Sequence, residues 1–304
     1  MIKLYKGDCL IESDKIESGS VDLILTDLPY GTITDLYNNC KWDVVIDTDK
    51  IMQIANRILR KNGKMVLFAQ EPFTSELMNK KLPNLNFNQR LIWEKDTSGN
   101  MLYAKKACVG FYEDMLCFNK IECYNAKHPL TSYAEKVINY INIPMKDINK
   151  VVGRSRFFRV TDKDFKIMRE VTFNKLNEFF NVEKMQGYKT FRELKEIDDQ
   201  FKNKFASTFN LWEGNKYKSN ILKYKKDYNG YHPTQKPILL LEDLIKTFSN
   251  ENNLVVDLTM GSGSTGIACV NTNRDFIGIE MNDEYFNIAT ARIEGVKETQ
   301  TKMF

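Results

Sequence analysis

Val21-Asp-Leu-Ile-Leu-Thr-Asp-Leu-Pro-Tyr-Gly31 reads as a strand that runs out into a loop carrying an acid and an aromatic ring. Val21 to Leu25 is short and apolar with β-branched residues, and Pro29 and Gly31 forbid its continuation. In open α/β sheets the crevice beyond the carboxyl ends of the strands is where ligands sit, so the tip is placed to meet one. The Asp27 carboxylate accepts hydrogen bonds from an amine, the Leu28 carbonyl accepts a second, Pro29 stiffens the loop, and Tyr30 offers a face for a planar ring. Those are the needs of an exposed base amine. The same residues also read as an ordinary Asp-x-Pro turn, and taken alone they leave both readings open.

The elements around this strand repeat its pattern. Upstream, Ile2 to Tyr5 predicts a short strand followed by Gly7-Asp8, where the aspartate can reach a ligand. Downstream, apolar residues at Ile51, Ile54, Ala55, Ile58 and Leu59 predict a helix over 49–59 stopped by Asn62-Gly63. Met65 to Ala69 is the next buried strand, so strand, helix and strand alternate and imply parallel pairing. A short helix over 73–78 and strands over 87–93 and 113–118 follow, with a loop between the strands that ends in Lys105-Lys106. That loop suits either a phosphate backbone or plain solvent.

From about residue 120 the strand pattern gives way to helical periodicity. Met145 to Val152 predicts a helix ended by Gly153, Thr161-x-x-Asp164 a capping box opening a helix to about Phe180, and Thr190-x-x-Glu193 a fuller capping box. Arg154, Arg156 and Arg159 are interleaved with Phe157 and Phe158, which suits phosphate contact with insertion between bases, or equally a small core. The α/β pattern returns after Tyr228, with a helix over 238–248, a strand over 254–257, a helix to about Val270, a strand over 275–280 and a last helix over 283–293. The fold class expected is therefore α/β: a Rossmann-like, mostly parallel sheet flanked by helices, formed by 1–119 plus 229–304, with a mainly helical segment, 120–228, inserted between its halves.

Charge separates the same segments. Residues 120–228 hold 23 Lys+Arg against 14 Asp+Glu, net +9, and the remainder 21 against 26, net −5. Such asymmetry points to a polyanion partner for the middle, since neutralising phosphates releases counterions; a lysine-rich solvated surface is the alternative. The six cysteines are scattered without a C-x-x-C pair and there are only 2 histidines, which argues against zinc and disulfide frameworks. No apolar run approaches a membrane span or a signal-peptide core, so a cytoplasmic protein is expected.

Gly261, Gly263 and Gly266 satisfy G-x-G-x-x-G after a strand and at the start of a helix, with Glu280 ending the next strand. Glycines let the backbone approach a ligand, and Glu280 can hydrogen-bond ribose hydroxyls. The loop lacks the Gly-Lys-Ser/Thr ending of a P-loop, which disfavours a nucleoside triphosphate; NAD and S-adenosylmethionine both fit. A dehydrogenase has no evident use for Asp-Leu-Pro-Tyr at the strand tip. A methyltransferase needs an acid such as Asp27 near the sulfonium and a clamp for the amine, and His232, Thr234 and Lys236 are suited to a methionine carboxylate.

Asp27-Leu-Pro-Tyr30, His232-Pro-Thr-Gln-Lys-Pro237 and Asp257-Leu-Thr-Met-Gly-Ser-Gly-Ser-Thr-Gly266, in that order around an inserted segment, resemble the β-group of amino-methylating DNA methyltransferases, the adenine-N6 and cytosine-N4 enzymes. The resemblance covers 1–119 and 229–295. The family most often has Asp-Pro-Pro-Tyr in adenine enzymes and Ser-Pro-Pro-Tyr in cytosine-N4 enzymes, so Asp27 favours adenine, and Leu28 departs from the usual proline. None of the cysteines follows a proline, which counts against a cytosine-C5 enzyme. The resemblance implies that Asp27 and the Leu28 carbonyl hold the adenine amine, that Pro29 sets the loop, and that Tyr30 stacks on a flipped base. It implies that Asp257, Thr259, Gly261, Ser262, Gly263, Ser264, Thr265 and Glu280 line the methyl donor, with Asp8 at its adenine and the 232–236 loop at its methionine end. The inserted segment would be the target-recognition domain on double-stranded DNA, with Lys105, Lys106, Arg154, Arg156 and Arg159 as candidate contacts. A restriction endonuclease partner and a homodimer are further options of such enzymes. Cytosine-N4 methylation, a catalytically silent DNA-binding paralogue and a nicotinamide-dependent oxidoreductase are the competing readings.

Overall fold

The computed structural model describes residues 1–29, 45–80, 82–98, 104–121, 127–160, 165–227, 231 and 234–301. Two compact units emerge, Met1–Cys123 with Ser207–Phe304, and Tyr124–Ala206.

In the first unit the chain forms β1 (Ile2–Lys6), the short α1 (Cys9–Glu12), β2 (Val21–Thr26), α2 (Thr48–Ile58), β3 (Leu59–Ala69), α3 (Phe73–Asn79), β4 (Leu85–Glu94) and β5 (Tyr112–Lys120). In the second unit follow α4 (Thr131–Ile141), α5 (Met145–Val152), α6 (Glu170–Phe180) and α7 (Phe191–Lys204). The first unit then resumes with β6 (Ile221–Lys223), α8 (Ile238–Phe248), β7 (Leu254–Asp257), α9 (Ser264–Asn271), β8 (Asp275–Glu280) and α10 (Asp283–Thr301).

The sheet order is β1-β8-β7-β2-β3-β5-β4-β6. β2 lies between β7 and β3, parallel to both, so strands from the two ends of the chain alternate in one sheet as the pattern predicts. Among the described strands β5 alone runs against its neighbours. Both faces are covered, which is why the strands read as continuous apolar runs rather than alternating ones. Ile24, Met65 and Leu67 face one core with Ile51, Ala55 and Ile58 of α2. Leu23, Leu25, Val66 and Phe68 face the other, with Leu241 and Leu244 of α8, Ile267 of α9 and Ile293 of α10. At about 1.5–3 kcal/mol per fully buried aliphatic or aromatic side chain, these two layers are the main favourable term for the unit.

Several boundaries differ from the sequence expectation. Asn62-Gly63 does not stop α2, which ends at Ile58. Asn62 (φ 62°) instead sits within β3, where the pairing jumps from Val21↔Leu59 to Leu23↔Lys64, so the pair makes a bulge in a strand rather than a helix cap. The helix expected from Thr161 begins only at Glu170, and Thr161 and Asp164 lie outside the described residues. The inserted unit is also narrower than 120–228. Lys120 ends β5, and residues 207–227 belong with the sheet because their hydrogen bonds go there. The Asn210 amide donates to the Thr247 carbonyl (2.8 Å), β6 pairs with β4, and Trp212, Lys218 and Tyr224 all donate to the buried Asp243 carboxylate of α8.

The inserted unit has its own core of Tyr133, Val137, Ile148, Phe157, Phe158, Phe173, Leu176 and Leu194. Phe157 (0% exposed) and Phe158 (9%) are part of it, which decides between their two readings: the rings pack inward while the arginines around them face solvent. The Thr190 capping box is formed in both directions, the hydroxyl accepting from the Glu193 amide and the Glu193 carboxylate from the Thr190 amide.

Gly266 lets α9 lie against α10. A Cβ there would overlap the end of the Ile293 side chain and stand 2.9 Å from the Phe276 ring. Gly266→Ala is expected to lower unfolding free energy by about 1–3 kcal/mol, and adding Ile293→Val to recover part of it, as read from denaturant midpoints; an unchanged midpoint for the single variant would contradict this packing.

Candidate active site

The carboxyl ends of β1, β2, β7 and β8 share one edge of the sheet, and the reversed direction of β5 brings its amino end, Glu113, to that same edge. Asp27 follows the last residue of β2, and Asp257 ends β7. The Asp257 carboxylate is 4% exposed and holds three threonines: Thr26 Oγ1 and the Thr259 amide donate to Oδ1 (2.8 and 3.1 Å), and Thr265 Oγ1 donates to Oδ2 (2.6 Å). Thr259 Oγ1 in turn donates to the Asp27 carbonyl (2.9 Å), so the glycine loop and the Asp27 loop are laced together. Burial pushes the Asp257 carboxyl up to about 6, against the hydrogen bonds from Thr265 and Thr26 that favour its charge. Asp257, expected to line the donor, thus turns both oxygens to protein donors.

Lys236 also departs from expectation. Its ammonium is not held out for a ligand carboxylate: it is 9% exposed, donates to Asp27 Oδ2 and lies 3.0 Å from Glu113 Oε1. Glu113 Oε2 meets Lys95 Nζ at 2.7 Å. Burial depresses the Lys236 pKa, but Asp27 and Glu113 more than reverse this and hold it above its usual range. Burial likewise opposes the charge of Glu113, and Lys236 and Lys95 carry its pKa below the usual carboxylate range. Four charges of alternating sign therefore run Lys95, Glu113, Lys236, Asp27.

Glu280 closes the glycine loop from the other side. Its Oε2 accepts from the Gly261 amide (2.9 Å) and Oε1 from the Asn282 amide (2.7 Å), while burial raises its pKa. Asp8 caps α1 through the Leu10 amide (2.9 Å), and the Gly7 amide donates to the Glu280 carbonyl (2.9 Å), which sets Asp8 beside that strand end. Gly261 (φ 51°) and Gly263 (φ 84°) take the left-handed backbone that turns the loop into α9. Ser262 is held by Arg292 of α10, whose Nη1 donates to the Ser262 carbonyl (2.6 Å) and lies 3.0 Å from its hydroxyl, with the guanidinium 4.3 Å from the Tyr231 ring.

The remaining expected residues are placed as follows. Leu28 is 2% exposed and packs into the core beside α2, so its side chain anchors the loop where the family's proline would stiffen it. Pro29 and Thr234 are half-buried. Tyr30 and His232 lie outside the described residues. Lys105, Lys106, Arg154, Arg156 and Arg159 are exposed. Lys95, Glu113 and Arg292 are the residues that sequence reading passed over, and Gln235 entered it only as part of the 232–236 loop. Glu113, an acid heading the apolar run Met-Leu-Cys-Phe, was the one with a signal, since a charge in a buried strand is rarely there without a partner.

The edge fits a nucleoside that carries an amino-acid end. Among the described residues, Ser264 Oγ at the first turn of α9 and Gln235 Nε2 are buried without a hydrogen-bond partner, a donor set for an anionic group at a helix N-terminus.

The chain belongs to the N6/N4 DNA methylase family, whose model matches it over residues 21–291. It is 28% identical over 299 residues to the DNA adenine methyltransferase YhdJ of Escherichia coli K12, covering 96% of this chain and 82% of that protein. With the type II methyltransferase M.HindIII of Haemophilus influenzae it shares 25% over 317 residues, 95% and 94% of the two chains. Among solved structures, the complex of M1.HpyAVI with S-adenosylmethionine superposes with a TM-score of 0.53 at 21% identity, covering 96% of this chain and 100% of that one. The cytosine-N4-specific PvuII DNA methyltransferase gives 0.52 at 14%, covering 98% and 91%. These likenesses share the fold. The protein is an S-adenosylmethionine-dependent DNA methyltransferase.

Because the Asp257 pKa in the folded protein, about 6, lies above its unfolded value of 3.8, the folded state binds the proton more tightly and stability falls as pH rises between these values. Asp257→Asn should remove that part of the slope. Wild-type protein is expected to lose up to roughly 3 kcal/mol more than the variant between pH 4 and 7, measured by denaturant unfolding; parallel curves would refute it.

Proposed function

We propose that the enzyme transfers its methyl group to the exocyclic N6 of an adenine flipped out of double-stranded DNA at a specific sequence. The observation that carries this reading is Asp27 at the tip of β2, laced by Thr259 to the glycine loop and paired with Lys236. A paired, ionised carboxylate and the Leu28 carbonyl are two acceptors for the two N–H bonds of an amine. They orient its lone pair, and no covalent enzyme intermediate is needed. Bound S-adenosylmethionine supplies an electrophilic methyl group. Glu280 and Asp8 would take its nucleoside, and Ser264, Gln235, Ser262 and Thr234 its amino-acid end, with His232 in the same loop. Tyr30 would stack on the flipped base and repay part of the few kcal/mol that unstacking costs. Support for adenine comes from the acid at position 27 and from the relative named a DNA adenine methyltransferase.

The inserted unit, Tyr124–Ala206, carries 17 Lys+Arg against 11 Asp+Glu, net +6, and is the proposed target-recognition domain. Its exposed Arg154, Arg156 and Arg159, and Lys105 and Lys106 of the other unit, would contact phosphates, so their removal would weaken binding uniformly and flatten its salt dependence. The cytoplasm, a partner restriction endonuclease and a homodimer complete the proposal.

Cytosine-N4 is the second reading, favoured by the fold shared with the PvuII enzyme. Tritiated methyl incorporation into DNA from a methylation-free host, followed by digestion to nucleosides, separates them. Label in N6-methyladenine is expected, and label confined to N4-methylcytosine would overturn the choice. Asp27→Ala should lower the rate at least about 1,000-fold while S-adenosylhomocysteine still binds by calorimetry; an undiminished rate would remove Asp27 from the chemistry.

A further inference from the structure

Glu113 lies outside the three motifs that carry the family resemblance, yet it is 4% exposed and bonded to two lysines at the edge where Asp27 stands. Its place follows from topology. β5 is antiparallel to β3 and β4, so Glu113 opposes Trp93 at the carboxyl end of β4, and Lys95 follows two residues later. The neighbouring Asp114 alternates to the other face and is spent on Arg90 Nη2 (2.9 Å) and Thr74 Oγ1 (2.8 Å). Two adjacent buried acids thus serve different partners, and only Glu113 reaches the Lys236–Asp27 pair.

We infer that Glu113 is a positioning residue for methyl transfer, holding Lys236 against Asp27 so that the carboxylate stands where it meets the target amine. The inference rests on the reading of Asp27 as the amine's acceptor. Buried ion pairs add little net stability, and apolar replacements of similar volume are often as stable or more so. Four linked charges at a substrate edge are therefore better explained by placement than by folding energy. Their sum is also significant: Lys95 and Lys236 against Glu113 and Asp27 is neutral, whereas without Glu113 the chain would hold two cations against one acid. Lys236 would then share itself with Asp27 alone, drawing the carboxylate toward the ammonium. Among the described residues, further charged groups around these four are Lys226, which follows β6 and whose pKa is lowered by burial and then by Lys95, Asp96, whose charge favours the Lys226 ammonium, and Asp257 on β7, whose pKa the Asp27 charge helps to raise.

The test is a double-mutant cycle on the full-length enzyme, with maximal methylation rates measured on plasmid DNA from a methylation-free host. Glu113→Gln is expected to lower the rate about 10–100-fold, with the dissociation constant of S-adenosylhomocysteine unchanged within about threefold. In a Lys236→Met background the same change should cost no more than about threefold, because a residue acting through Lys236 has nothing left to act on. Glu113→Asp should restore part of the rate, and Asp114→Asn should leave it as in wild type while lowering the melting temperature.

The pH profile reads the same coupling. In Glu113→Gln, Lys236 loses one of the two carboxylates that offset its burial, so its proton leaves at lower pH and an alkaline fall in rate appears that wild type lacks. Equal cost of Glu113→Gln in both backgrounds, a rate within twofold of wild type, or an alkaline profile in the variant the same as in wild type would overturn the inference. Should Glu113→Gln fail to fold, the apolar replacement Glu113→Met combined with Lys236→Met runs the same cycle. Wild-type protein that methylates no DNA would instead sink the methyltransfer reading, and an active Asp27→Ala variant would sink Asp27's role.

Discussion

A buried carboxylate fastens together two stretches of chain 231 residues apart: Asp257 on β7 accepts from Thr26, the residue that precedes Asp27. Everything at the edge of the sheet depends on that bond. It sets the glycine loop and the Asp27 loop at one distance, because Thr259 and Thr265 answer to the same carboxylate and Thr259 passes the constraint to the Asp27 carbonyl. Burial makes the group costly to ionise, and threonine hydroxyls are donors that fit against it without adding charge. A base and a methyl donor can be brought into line only if their two loops are so registered.

The second constraint is electrostatic. Lys95, Glu113, Lys236 and Asp27 come from the ends of β4 and β2, the start of β5 and the loop before α8, and their alternating signs cancel. Asp227 and Asp243 support that loop indirectly: the first accepts from the Ile238 amide at the start of α8 (2.9 Å), and the second gathers Trp212, Lys218 and Tyr224 onto the same helix. Positive charge that the sequence offers to a ligand carboxylate is consumed in this way by the protein's own acids.

Much of the architecture was legible because local chemistry and global fold agree. β7, β8, α5 and α8 lie where periodicity and caps place them, and the interleaving of the two chain ends follows from apolar runs that need both faces covered. The pattern was silent or misleading where a local signal has two uses. Asn62-Gly63 can end a helix or bulge a strand, and pairing with Val21 and Leu23 decided for the bulge. Phe157 and Phe158 can meet bases or one another, and the small unit needed a core.

The sequence by itself determined the class: three motifs in order, an acid at a strand tip, a glycine turn into a helix and a basic insertion. Those features are local, since spacing and residue type suffice to define them. Only the tertiary structure decided who partners whom. Lys236 reads as a ligand's counter-ion until the fold seals it between Asp27 and Glu113, and Glu113 reads as a misplaced strand residue until the reversal of β5 carries it to the edge. Charge pairing acts through space at about 3 Å, and no separation along the chain encodes which strand ends will meet there.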